Sequence, residues 1–117
     1  MQYLLLMYLD EAWGQLSLAA RQQIYGEQLQ LAHQLTASGQ YLGGAPLQPP
    51  STATSVRVRN GKRFVTDGPF AETREQLGGY MLIDVTDRDE ATAIAARGAV
   101  ARVGTIEIRP VREGPPV

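Results

Sequence analysis

The stretch YLLLMYL, Tyr3 to Leu9, limits most sharply what this chain can fold into. Every position is apolar, so both alternating faces are apolar, which is the pattern of a central strand buried on both sides. At this length a strand is favoured over a helix, and Asp10 and Glu11 end the run at once. Such a strand belongs inside a sheet. The rest of the chain must supply its neighbours and its cover.

Ser17 predicts an N-cap for a long helix reaching about Ser38, with Gly39 as its stop. Ile24, Leu31 and Leu35 fall on one side of it, with Tyr25, Leu29 and Ala32 widening the stripe. Gly26 costs this helix about 1 kcal/mol relative to alanine without ending it. Residues 40–47, QYLGGAPL, predict a short extended segment, and Pro49-Pro50 an irregular connection. SVRVR, Asn60-Gly61 and KRFVT then form a hairpin signal, because Asn-Gly suits the positive φ of a type I′ turn. That turn sets Arg59 opposite Lys62, Val58 opposite Arg63, Arg57 opposite Phe64 and Val56 opposite Val65.

A loop, DGPFAETREQLGGY, leads into a strand over Tyr80–Val85, with Met81, Ile83 and Val85 on one face and Tyr80, Leu82 and Asp84 on the other. Residues 86–90, TDRDE, suit the positive end of a helix that continues to about residue 101, with Gly98 as an interruption. Thr105 to Arg109 is the last strand, ended by Pro110. No repeat or linker divides the chain, which predicts one domain over 1–112 and a flexible tail over 113–117.

With the hairpin set aside as an insertion, the order is βαββαβ, a ferredoxin-like α+β fold. Both helices would cover the face bearing Met81, Ile83, Ile106 and Ile108. The other face, with Tyr80, Leu82, Asp84, Thr105, Glu107 and Arg109, has no helix left to cover it. Two such sheets packed face to face predict a homodimer with a cavity between them, a dimeric α+β barrel.

Composition narrows the function. Eleven basic and twelve acidic side chains give a net charge of −1, against the cationic excess a nucleic-acid binder needs. There are no cysteines, so disulfides, thiolate nucleophiles and iron–sulfur ligation are excluded. No basic segment precedes the short apolar start and no stretch reaches membrane-span length, so the expectation is a cytoplasmic protein without a membrane partner.

The run VTDGPFAETREQLGGYMLIDV, over Val65–Val85, resembles the signature of the bacterial YCII-related family in its DGPF-domain branch. MQYLLLMYLDEAW, GGAPLQPPSTATSVRVRNGKRFVTDGP and IEIRPV extend the resemblance over nearly the whole chain. It implies a ferredoxin-like domain that dimerises into an α+β barrel. It also implies a possible sigma-factor-related partner, since DGPF members are associated with extracytoplasmic-function sigma factors. Enzyme-like relatives use a His–Asp pair, with the histidine about eleven residues before the glycine ending the first helix. Counting back from Gly39 reaches Gln28, and the stretch RGAVARVG, where the aspartate would lie, holds no acid. The dyad is absent.

The remaining candidates are few. His33 falls on the polar helix side, and a lone histidine makes a poor metal site, so no metal or cofactor is expected. Asp67 is the candidate general base, weighed against a turn cap made by its carboxylate in an Asx-turn. Phe70 is the candidate ligand-stacking ring, weighed against a plug anchoring the loop in the core. Glu72 and Glu75 are expected on one face of a helical turn, and Gly78-Gly79 as the end of that turn. Tyr80, Asp84 and Arg109 would line the open sheet face, as ligand contacts or as dimer contacts. Arg57, Arg59 and Lys62 form a cationic hairpin face, with Arg57 a further candidate for neutralising ligand charge. Three functions stand together: a small-molecule-binding or regulatory homodimer, an isomerase- or lyase-like enzyme acting by proton transfer, and a structural dimer serving a protein partner.

Overall fold

The computed structural model describes residues 1–115. Its elements run β1 (Gln2–Leu9), α1 (Glu11–Gln15), α2 (Leu18–Ala37), β2 (Tyr41–Pro46), β3 (Thr54–Arg59), β4 (Lys62–Asp67), β5 (Gln76–Asp84), α3 (Arg88–Arg97) and β6 (Gly104–Pro110). The main sheet is antiparallel in the order β2–β5–β1–β6. That is the α+β order expected, with β3 and β4 inserted as a separate two-stranded sheet. The tail expected over 113–117 lies partly outside the described residues.

The apolar run occupies the inner strand β1, between β5 and β6. Its two faces meet different fates. Tyr3, Leu5 and Met7 are buried under the helices, whereas Leu4, Leu6 and Tyr8 are only half-buried. Cover on both sides is therefore not supplied by this chain alone. The core is made by those three residues with Ile24, Leu31 and Leu35 of α2, Met81 and Ile83 of β5, Val85, and Ile94 of α3. Ile106 and Ile108 pack against it from β6.

Local chemistry explains the helix ends. Ser17 accepts the Ala20 N–H and caps α2, which closes at Gly39 (φ 77°) with the Gln40 N–H returning to the Leu35 carbonyl. Asp87 caps α3 by accepting the Glu90 N–H, while the Glu90 carboxylate accepts from the Thr86 N–H and from the Gln40 amide. Gly98 ends α3 as the expected interruption, and a 3₁₀ turn over Ala99–Arg102 carries the helical segment on to its expected end. The short helix α1, capped by Asp10, was not predicted.

Two expectations about the loop before β5 fail. Residues 71–75 form no helical turn; Thr73 Oγ1 instead donates to the Glu75 carbonyl at 2.6 Å. Gly78 and Gly79 lie inside β5 rather than ahead of it. They serve close approach, since a Cβ at Gly78 would stand 2.5 Å from Leu9 Cδ1 and one at Gly79 3.1 Å from the Ala45 carbonyl.

The hairpin has the expected register and turn, with Asn60 at φ 52° and Gly61 at φ 74°. One face carries Val56, Val58 and Val65; the other carries Arg57, Arg59, Lys62 and Phe64. Both are exposed. The hairpin therefore stands away from the body, and the radius of gyration is 16.1 Å, against about 13 Å for a compact domain of this length.

Candidate functional site

An apolar cavity lies on the helix side of the sheet, and α2 forms one wall. Ile24, Leu31 and Leu35 face the core, so the flanking residues Tyr25, Leu29 and Ala32 face sideways, towards β2 and β5. Trp13 of α1 meets Tyr25 edge to face, with ring centroids 5.3 Å apart. Met7, Leu9 and Met81 form the floor, and the chain from Gly44 to Gln48 forms the rim. The cavity is open on one side and its volume is about 510 Å³, within the span of small-molecule sites.

Glycines make that space possible. At Gly44 a Cβ would stand 2.5 Å from the Tyr80 carbonyl and 2.9 Å from the Tyr41 hydroxyl. Tyr41 can then lie along the sheet edge with its hydroxyl at the cavity.

Gln28 is the polar group at the centre of this apolar wall. Its Nε2 donates to Met81 Sδ at 3.3 Å, a weak acceptor. Its Oε1 is buried and, among the described residues, has no partner. Leaving that amide oxygen unpaired costs free energy. The same amide packs on Gly98, where an added Cβ would come within 3.0 Å of Oε1. Helix α2 and the connection after α3 therefore meet at this point.

Of the residues proposed from sequence, only Tyr80 borders the cavity. Its register opposite Leu6 puts its ring on the other, open face, together with Asp84 and Arg109. Asp84 accepts from the Met1 ammonium at 3.1 Å, and Arg109 reaches Glu107 at 3.3 Å. Arg57 is exposed on the hairpin. Asp67 ends β4, and among the described residues its carboxylate accepts no backbone hydrogen bond, so the expected Asx cap does not form. Gly68, at φ 98°, instead extends the hairpin ladder by donating its N–H to the Ala53 carbonyl at 2.7 Å. Phe70 is 79% exposed and plugs nothing, because its loop crosses the surface beyond the reach of the core. Trp13 and Tyr41 carry no signal of their own in the sequence, and Gln28 is named there only as the place of the histidine in enzyme-like relatives. The signal available was the width of the α2 apolar stripe, broader than its core contact requires.

The YCII-related domain profile matches residues 1–114. The chain belongs to the YCII-related family. An uncharacterised protein of Rhizobium meliloti (strain 1021) is 44% identical over 69 residues, a match that covers 57% of this chain and 56% of the relative. The chain thus spans little more than half the length of that curated relative. Among solved structures, the 5-chloro-2-hydroxyhydroquinone dehydrochlorinase of Burkholderia phenoliruptrix AC1100, in complex with 2,5-dihydroxybenzoquinone, superposes with a TM-score of 0.60. The superposition covers 97% of this chain and 96% of the dehydrochlorinase at 14% identity, which establishes a shared fold. This YCII-related chain has no helix among its described residues long and apolar enough to cross a membrane.

Proposed function

We infer that this YCII-related protein binds a small, uncharged, flat molecule and does so as a homodimer. The observation that carries this reading is the cavity itself: apolar walls, the three aromatic rings of Trp13, Tyr25 and Tyr41, and only a few uncharged polar groups. Its lining holds no carboxylate, imidazole or amine. What it offers is apolar contact and a few uncharged polar groups, on Tyr25, Gln28, Tyr41 and Gln48, which are the elements of recognition. A group able to move a proton at neutral pH is not among them, so binding is preferred over isomerase- or lyase-like turnover. The fold neighbour's small cyclic ligand supports the choice of a ring compound as probe.

The homodimer is supported by the open sheet face. Leu4 lies between Leu82 and Arg109, and Leu6 between Tyr80 and Glu107, giving an apolar centre with charged margins. That is the anatomy of an interface. The DGPF branch, through Asp67–Phe70, and regulation through a sigma-factor-related partner are extensions drawn from the resemblance.

Trp13 is the only tryptophan and sits in the cavity wall, so its emission reports occupancy. Hydroquinone, a neutral ring bearing donors, is expected to quench it saturably, and benzoate, an anion of similar size, is not. Equal responses to both, or none to either up to millimolar concentration, would contradict the reading.

A further inference from the structure

The β3–β4 hairpin leaves a charge problem that the cavity does not address. Within Thr54–Asp67 there are four cations, Arg57, Arg59, Lys62 and Arg63, against one acid, Asp67. The rest of the chain has seven cations and eleven acids. A cationic arm thus projects from an acidic body. Three of its charges lie on one face with Phe64, and Lys62 Nζ stands 5.4 Å from the Phe64 ring centre. A two-stranded sheet with both faces in water is marginal by itself, so the arm needs a surface to rest on.

A surface of opposite sign exists on the open sheet face. A groove at one end of β1 and β6 is lined by Tyr8, Asp10, Thr73, Arg74, Glu75, Thr105 and Glu107. It holds three carboxylates to one guanidinium, with an aromatic ring among them. It also adjoins the Leu6–Glu107 row, and so continues the face assigned to the dimer.

We propose that the cationic face of the hairpin, Arg57, Arg59 and Lys62 around Phe64, docks into the Asp10–Glu75–Glu107 groove of a second copy of this chain. The inference rests on the homodimer reading and goes beyond it, because face-to-face packing alone assigns the hairpin no role. Two-fold symmetry makes the contact twice, each copy giving one arm and one groove. Exposed ion pairs of this kind are individually weak and are screened by salt. The arm therefore sets the strength and salt dependence of the dimer, while the apolar sheet centre holds it together.

Lys62 is the only lysine in the chain, which makes the test direct. A zero-length carbodiimide joins an amine to a carboxylate in contact with it. In a mixture of ¹⁴N- and ¹⁵N-labelled protein, mass spectrometry should find Lys62 joined to Asp10, Glu75 or Glu107 in mixed-isotope pairs. Sedimentation equilibrium of R57E/R59E/K62E should show a dimer about tenfold or more weaker at low salt. Adding E75R/E107R should restore most of that loss. An unchanged dimer constant in the triple variant, or Lys62 linked only within its own chain, overturns the docking while leaving the sheet-to-sheet dimer standing. A wild-type monomer overturns both. Circular dichroism of each variant separates lost association from lost folding.

Discussion

At the scale of single residues, the cavity depends on atoms that are missing or unpaired. Gly44 shows the first case. An alanine there would drive its Cβ to 2.5 Å from the Tyr80 carbonyl, a backbone atom that cannot turn aside. Gly44→Ala is expected to lower stability by about 1–3 kcal/mol, as overpacking does, and to weaken hydroquinone binding by moving Tyr41. Gly43→Ala is the control, since no atom lies within 4 Å of its Cβ position, and should stay within about 0.5 kcal/mol of wild type in urea unfolding. Gln28 shows the second case. Gln28→Leu removes an orphaned acceptor, so stability should hold or rise by up to about 1 kcal/mol, while benzoate should still fail to quench Trp13, because the wall gains no charge to receive an anion. Gln28→Glu places a carboxylate in the same apolar wall and should destabilise the fold. A stable glutamate variant would mean that water reaches this amide.

At the scale of elements, the ends of helices carry more than the helices do. Asp87→Ala frees the Glu90 N–H and should cost about 1 kcal/mol. Glu90→Ala should cost more, because its carboxylate also accepts from Gln40 and so ties the start of α3 to the loop between α2 and β2. Equal losses in thermal unfolding would show that this cross-link adds nothing. These elements also show what the sequence made legible. Ser17, Gly39 and Asn60-Gly61 act through their own backbone and nearest neighbours, so each could be read where it stands. The five residues of α1 are too few to show a period, and only the Asp10 cap marks them. Gly78 and Gly79 looked like the end of a turn because a glycine needed for close packing has the same local appearance as one needed for positive φ. The cavity was least legible. Trp13, Gln28, Tyr41 and Gly44 become neighbours only when α1, α2, β2 and β5 assemble, and no short-range pattern links them.

At the scale of the molecule, the uneven burial of β1 is the central fact. A strand apolar on both faces has one face deep in the core and the other only half covered, though exposing Leu4, Leu6 and Leu82 in a row gains nothing for a lone domain. The hairpin and Phe70 add further apolar surface to the same unfinished molecule. In the proposed homodimer a second copy would cover the sheet face without any new feature of sequence, and near-neutral net charge sets no barrier to it. The decisive substitution lies at the apolar centre. Leu82→Arg would bring a guanidinium into the middle of the proposed interface without a partner, where burial of an unpaired charge is most costly. The dimer constant is expected to weaken by about a hundredfold or more, close to 3 kcal/mol at 1.4 kcal/mol per tenfold. Far-UV circular dichroism should be retained, because Leu82 faces away from the helices. Trp13 lies on the helix side, so hydroquinone should still quench the monomer. If the Leu82→Arg protein stays dimeric, the open sheet face is not where the copies meet. If it becomes monomeric and loses hydroquinone quenching as well, the cavity depends on the partner and is not complete in one chain.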